Sequence, residues 1–335
     1  MGCVVAIVGA TGAVGVEFSR CMEERNFPVS EVRLLASARS VGKKMPFRGE
    51  ELAVKELTEN SFRGVNVALF SAGSGVSKSF AHHAVKAGAV VVDNSSAFRM
   101  DPAVPLVVPE VNPEAIREHK GIIANPNCST IIALVPLWPI HQVNPITRLI
   151  AATYQAASGA GAAAMEELRE STRAHLEDRP FEQKVLPHPY AFNVFSHNSK
   201  IDADTGYNEE EMKMLRETQK IFHDPAIRVS ATCVRVPVLR AHCEALTFEC
   251  SRPIGADEVR TLLRHAPGVK LVDDAEKNYF PMPRDASGQG DVLVGRIRQD
   301  ISDPSGKSIA MFVAGDQLLK GAALNAVQIA EFLVR

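Results

Sequence analysis

The hydrophobic and polar positions alternate between two registers along the first third of the chain. Residues 3–8 form an uninterrupted apolar run, as expected of a strand buried on both faces of a parallel sheet. A glycine-rich turn follows, and residues 16–25 take up the spacing of an amphipathic helix. The pattern repeats with strands predicted at 31–36, 65–70 and 90–93 and a helix over 76–87. Strands alternating with helices at this spacing predict a Rossmann-like, doubly wound parallel sheet. From about residue 146 the character changes. Strands are predicted at 148–155, 227–236, 244–250, 291–298 and 308–314, with helices at 162–174, 208–222 and 257–265. This is the pattern of a second, α+β domain. Residues 178–204 carry Pro, His and Asn with little periodicity and read as a long loop or an interface arm. A last amphipathic helix is expected over 317–332.

The chain's 335 residues suffice for two domains with separate cores. A net charge of −2 gives no reason to expect nucleic acid or an anionic membrane as a partner. No apolar segment is long enough to span a bilayer. The chain enters a strand almost at once, without a basic leader or cleavage site, so a cytoplasmic protein is expected. The six cysteines are scattered and lack CxxC spacing, which argues against both a disulfide framework and a metal site.

Candidate chemistry lies at the turns. Gly9-Ala10-Thr11-Gly12-Ala13-Val14-Gly15 joins the first strand to the first helix, which is the context of a dinucleotide fingerprint in a GxxGxxG variant. The second strand ends in Ser37-Ala38-Arg39-Ser40 rather than in the acidic residue that bonds a ribose 2′-hydroxyl. Two hydroxyls and a guanidinium suit a 2′-phosphate, so NADP is the expected cofactor. Arg99, just past a strand's carboxyl end, is placed to grip a phosphate or carboxylate. Asn125-Pro126-Asn127-Cys128-Ser129-Thr130 combines a proline turn with helix-capping residues and predicts a helix starting near Cys128. A thiol there lies beside unpaired N–H groups, which favour the thiolate and can hold an oxyanion. Glu210 and Lys213 share a helix face, and Arg240 and His242 flank the break made by Pro237.

Taken together these stretches resemble the aspartate-β-semialdehyde dehydrogenases over nearly the whole chain. The resemblance also covers Asp93-Asn94-Ser95-Ser96-Ala97-Phe98-Arg99, Tyr154-Gln155-Ala156-Ala157-Ser158-Gly159-Ala160-Gly161, Glu210-Glu211-Met212-Lys213 and Arg235-Val236-Pro237-Val238-Leu239-Arg240-Ala241-His242. It departs at Cys243, where a serine is common, and at Ile132, which replaces a frequent polar residue. It implies that Cys128 is a nucleophile forming an acyl thioester, His242 a general acid/base and Gln155 the group that positions the acyl carbon. Arg235 would bind the substrate α-carboxylate, Glu210 the amine, and Arg99 and Lys213 phosphate. Thr11, Gly12, Ala13, Val14, Arg39, Ser40, Ser158, Gly159 and Gln317 fall at cofactor positions. The implied reaction is the reversible NADPH-dependent reductive dephosphorylation of β-aspartyl phosphate to aspartate semialdehyde, in lysine, threonine, methionine and diaminopimelate biosynthesis. The implied assembly is a homodimer, with a nucleotide domain of residues 1–127 plus 316–335 and a catalytic and dimerisation domain of residues 128–315. Related acyl-phosphate reductases acting on other substrates, and an inactive NADP-binding paralogue, remain alternatives at this point.

Overall fold

The computed structural model describes residues 2–334, which divide into two compact units, 2–127 with 322–334 and 128–321. In chain order the first unit contains β1 (Cys3–Val8), α1 (Ala13–Glu24), β2 (Val29–Ala36), β3 (Lys44–Phe47), β4 (Glu50–Ala53), β5 (Lys55–Glu56), β6 (Val67–Phe70), α2 (Ser74–Lys86), β7 (Val90–Asp93) and β8 (Ile122–Ala124). The second unit contains α3 (Cys128–Val143), β9 (Ile146–Gln155), α4 (Ala162–Leu176), β10 (Phe195–Ser196), α5 (Glu209–Ile221), β11 (Arg228–Arg235), β12 (His242–Cys250), α6 (Ala256–Leu263), β13 (Val269–Leu271), α7 (Pro283–Ala286), β14 (Val292–Gln299) and β15 (Ser308–Gly315). The last helix, α8 (Leu324–Val334), belongs to the first unit.

The first unit is a six-stranded parallel sheet in the order β5-β2-β1-β6-β7-β8. Strand order reverses on either side of β1, and at such a switch point the loops beyond the strands' carboxyl ends part to receive a ligand. The central strands are buried along nearly their whole length, which is why they read as plain apolar runs rather than alternating ones. Gly9 ends β1 at φ +85°, and a β-carbon there would stand 2.4 Å from the Ser71 carbonyl oxygen. One at Gly15 would stand 2.2 Å from the Gly9 carbonyl. The motif's first and last glycines therefore let β1, the loop after β6 and α1 close on one another.

The second unit is a mixed seven-stranded sheet in the order β10-β11-β9-β12-β15-β14-β13. Its principal helix, α3, is buried on all sides from Ser129 to Leu137, so it reads as an apolar run rather than an amphipathic stripe. It packs against β9, β12, β14 and β15 and against α5 and α6, and tolerates Pro136 and Pro139 in its interior. The expected long loop is irregular over most of its length. Its regular part is β10, which pairs with β11 so that Phe195 lies opposite Arg235.

Two boundaries differ from the sequence expectation. Residues 316–321 pack with the second unit, because the buried Asp316 carboxylate accepts from Arg240 Nε at 2.6 Å and from the Gly288 and Leu318 amides at 2.6 and 2.9 Å. Gln317 lies outside the last helix for the same reason. A π-helical turn over Leu319–Ala323 intervenes before α8 begins at Leu324.

Candidate active site

Cys128 is the first residue of α3 and is partly exposed, whereas the other five cysteines are buried. Burial raises the thiol pKa at Cys3, and to about 12 at Cys21, Cys243 and Cys250, so these stay protonated and inert. Cys233 is raised for the same reason. A β-carbon on Gly321 would stand 2.9 Å from Cys128 Cβ, so the π-helical turn lies directly against the thiol-bearing residue.

β9, β11 and β12 end beside one another, and their last or first residues are Gln155, Arg235 and His242. Gln155 is fully buried. Its Nε2 donates to Ser129 Oγ, next to Cys128, at 2.8 Å and to Glu210 Oε1 at 3.3 Å. Glu210, in the first turn of α5, receives the Lys213 ammonium on Oε2 at 3.0 Å. Asn208 and Glu211 form a reciprocal capping box that fixes where this helix starts, and Glu211 also accepts from the Cys233 amide of β11. The predicted Glu210–Lys213 face thus forms, and α5 presents it to the end of β9.

Arg235 is 4% exposed, and its guanidinium is held by neutral acceptors. Nη2 donates to His197 Nε2 at 2.8 Å, Nη1 to the Ala156 carbonyl at 3.3 Å and Nε to Asn198 Oδ1 at 3.4 Å. Its charge therefore remains available to an anion.

His242 is 0% exposed and opens β12 rather than preceding it. Its Nδ1 accepts the Ala156 amide hydrogen at 3.0 Å. The neutral ring consequently carries its proton on Nε2, and Nε2 is buried with no hydrogen-bond partner. Burial, and then the Arg235 charge, pushes the imidazole pKa down to about 3, so the neutral form prevails at physiological pH. The preceding residue, Ala241, adopts φ +71°, a conformation worth roughly 1–2 kcal/mol of strain outside glycine. It is stabilised there by the hydrogen bond its backbone N–H donates to Gln317 Oε1 at 3.0 Å and by the Arg240–Asp316 pair. Gln317 Nε2 in turn donates to Ser158 Oγ. Ser158 and Gln317 are thereby joined in this unit, close to the histidine, and Gly159 lies over the ring: a β-carbon there would be 2.9 Å from His242 Cε1 and Nε2.

In the first unit, Gly12 is the N-cap of α1, with no side-chain cap and no acidic residue in the helix's first turn, which suits its N–H groups to phosphate. Thr11 Oγ1 and Ser40 Oγ are 3.4 Å apart, so the glycine turn and the Ser37–Ser40 segment meet. Arg39 is exposed, with no acidic neighbour in that turn. Ala13 and Val14 are the first two residues of α1. Arg99, by contrast, is no surface residue. It is buried, with Nε on the Asn125 carbonyl and Nη2 on the Asn94 carbonyl, both at 2.9 Å. A chain of amides, Asn94–Asn125–Asn325, backs it with two bonds of 2.7 Å. This amide chain, together with His197 and Asp316, escaped the sequence reading, because their partners lie tens to hundreds of residues away. Glu244, a buried carboxyl group with neither oxygen bonded, escaped it as well. Among the described residues no cluster suits a metal ion.

Two family models match the chain: the NAD-binding domain of semialdehyde dehydrogenases over residues 4–119 and their dimerisation domain over residues 137–320. Aspartate-semialdehyde dehydrogenase from Synechocystis sp. is 58% identical, over 98% of this chain and 97% of that protein. The chain belongs to the aspartate-semialdehyde dehydrogenase family. The enzyme of that name from Bacillus subtilis is 49% identical, over 98% of this chain and 96% of its own. Aspartate semialdehyde dehydrogenase II of Vibrio cholerae, solved in complex with ASA, superposes with a TM-score of 0.97 at 48% identity, covering 100% of this chain and 99% of that one. The Candida albicans family member solved with NADP superposes with a TM-score of 0.76 at 26% identity, covering 100% and 99%. The fold expectation, a Rossmann-like parallel sheet with a second α+β domain, holds, and the chain is a dehydrogenase with a nicotinamide-dinucleotide-binding domain. No helix among the described residues is long and apolar enough to cross a membrane.

Proposed function

We propose that this enzyme reduces β-aspartyl phosphate to aspartate semialdehyde through a Cys128 thioester, using NADPH, and works as a homodimer. The observation that carries the reading is the buried set Gln155, Glu210, Arg235 and His242, assembled in the unit whose first helix opens with Cys128. Arg235 presents an uncompensated fork to the α-carboxylate, and Glu210 already receives an ammonium from Lys213, as it would from the substrate amine. Arg99 and Lys213 supply cations for phosphate.

The thiolate of Cys128 attacks the acyl carbon, the carbon–oxygen bond to phosphate breaks, and phosphate departs with the electron pair. NADPH, when bound, supplies the hydride that the thioester carbon accepts. The oxyanion formed there takes a hydrogen bond from His242 Nε2–H, the proton that the Ala156 amide keeps on that nitrogen. Re-forming the carbonyl expels Cys128 as thiolate and releases the aldehyde, so a neutral donor suffices in this direction. A neutral imidazole polarising a carbonyl is an established catalytic device. The α1 N-terminus with Gly9, Thr11, Gly12, Ala13 and Val14 suits the pyrophosphate, and Ser37, Arg39 and Ser40 suit a 2′-phosphate. Ser158, Gly159 and Gln317 complete the cofactor set.

Exposed Ile150 and Tyr154 on β9, with Phe312 beside Tyr154 at 6.1 Å between ring centres, give the second sheet an apolar face that a second copy would cover. Reductive turnover tests the reading most simply in reverse. Aspartate semialdehyde, NADP and phosphate should give rapid turnover that stops when phosphate is omitted, while N-acetyl-glutamate semialdehyde, lacking the free amine, should react poorly. Equal turnover of both aldehydes would contradict it.

A further inference from the structure

His197 lies in the irregular stretch between α4 and α5, in the residue range for which the motifs suggest no chemistry. β10 sets it beside the end of β11, since the His197 amide donates to the Cys233 carbonyl at 2.8 Å. Its Nε2 is 2.8 Å from Arg235 Nη2. A guanidinium has no lone pair, so Nε2 accepts, and the ring's single proton sits on Nδ1. Nδ1–H then donates to Ser199 Oγ at 3.0 Å, and the same hydroxyl accepts the Glu210 amide hydrogen at 3.2 Å. The Ser199 amide, 3.2 Å from Nδ1, is then a contact rather than a bond. The neutral ring is secure: burial pushes its pKa down to about 4, with Arg235 and Lys213 adding to the fall and Glu210 opposing it.

We infer that His197 is a positioning residue that aims the Arg235 fork and, through Ser199, fixes its spacing from Glu210, so that together they measure the carboxylate and amine of an α-amino acid. An acidic residue would orient the arginine equally well, but it would neutralise the charge that the substrate carboxylate needs. A neutral acceptor orients the fork and leaves the charge free. The inference rests on the proposed role of Arg235.

The test compares His197→Phe, which keeps the ring shape and loses both nitrogens, with His197→Gln, whose Oε1 can again accept from Nη2. Arg235→Lys is assayed alongside. A hydrogen bond to a charged group, removed, predicts about a 10-fold rise in KM for aspartate semialdehyde in His197→Phe. kcat should stay within about threefold, with KM for NADP and phosphate unchanged. His197→Gln should recover most of the loss. An unchanged semialdehyde KM in His197→Phe, with a raised one in Arg235→Lys, would overturn the inference alone. So would a uniform loss across all constants that Gln fails to rescue, since that marks a structural role. An unchanged KM in Arg235→Lys would remove the reading of Arg235, and the inference would fall with it.

Discussion

Gly159 carries the most direct geometric consequence of the site. Replacing it with alanine adds one methyl group, 2.9 Å from His242 Cε1 and Nε2 and 3.0 Å from Arg235 Nη1. Non-bonded heavy atoms rest at about 3.5–4.0 Å, so something must yield by roughly 0.6 Å. Neither neighbour can yield freely. His242 is fixed by the Ala156 amide on Nδ1, and Arg235 by bonds to His197, Asn198 and the Ala156 carbonyl. Overpacking of this kind costs about 1–3 kcal/mol of stability. That corresponds to a fall in melting temperature of a few degrees for a chain of this size. A 1 Å misplacement of catalytic groups costs about 100-fold, so kcat should fall by about 10- to 100-fold. Gly255→Ala is the control, because a β-carbon there meets nothing within 4 Å. The assay is steady-state turnover in the oxidative direction, with NADP affinity measured separately by fluorescence. Unchanged kcat in Gly159→Ala would refute the placement of the ring and the guanidinium. A loss explained wholly by weaker NADP binding would trace the effect to the place of Gly159 in the cofactor set and not to the ring and the guanidinium.

Three further outcomes follow from the same structure. Arg39 is exposed with no acidic neighbour in its turn, so Arg39→Ala should reduce kcat/KM for NADPH by about 10- to 150-fold while leaving NADH nearly unchanged. Equal losses for both cofactors would make it a solvated loop residue. Lysine lacks the guanidinium fork, so Arg235→Lys should raise KM for the amino-acid substrate and Arg99→Lys the KM for phosphate; two unaffected constants would remove both from the binding set. Glu244 is fully buried, both its oxygens lack partners, and burial, with Glu210 nearby, holds its carboxyl well above the usual range. The folded state therefore binds a proton that the unfolded chain has lost, and stability falls as pH rises above about 4.5, by up to about 1.4 kcal/mol per unit. Glutamine cannot ionise. Glu244→Gln should thus gain on the unmodified enzyme in melting temperature between about pH 5 and about pH 8, and a constant difference across that range would contradict a raised pKa.

Much of this molecule is legible in the chain because its signals are local. β1, its glycine turn and α1 are adjacent in sequence, and a run buried on both faces needs no distant partner to be recognised. Cys128 is similar, since the Asn-Pro turn and the capping residues lie within three positions of it. Non-local features are harder to read. His242 flanks a proline break in sequence and so reads as a loop residue, but pairing with Gly315 draws it into β12. Gln317 continues an apolar periodicity that predicts helix, yet the Asp316 carboxylate captures the amide of Leu318 and stops the helix from starting there. Arg99 reads only as a grip just past a strand's carboxyl end; its burial depends on the carbonyls of Asn94 and Asn125, brought together only when β7 and β8 pair. The short, exposed hairpin of β3 and β4 has no apolar run to announce it. His197 left no trace at all, since the bond to Arg235 spans 38 residues of chain.

The covalent step at Cys128 is the claim on which the rest depends. Enzyme mixed with aspartate semialdehyde and NADP, with phosphate withheld, should stop after one hydride transfer per active subunit. Intact-protein mass spectrometry with peptide mapping should then find the aspartyl group on Cys128, and added phosphate should release it. Cys128→Ala should show neither the burst nor the adduct while still binding NADP. An adduct on another residue, or turnover that survives in Cys128→Ala, would contradict the account.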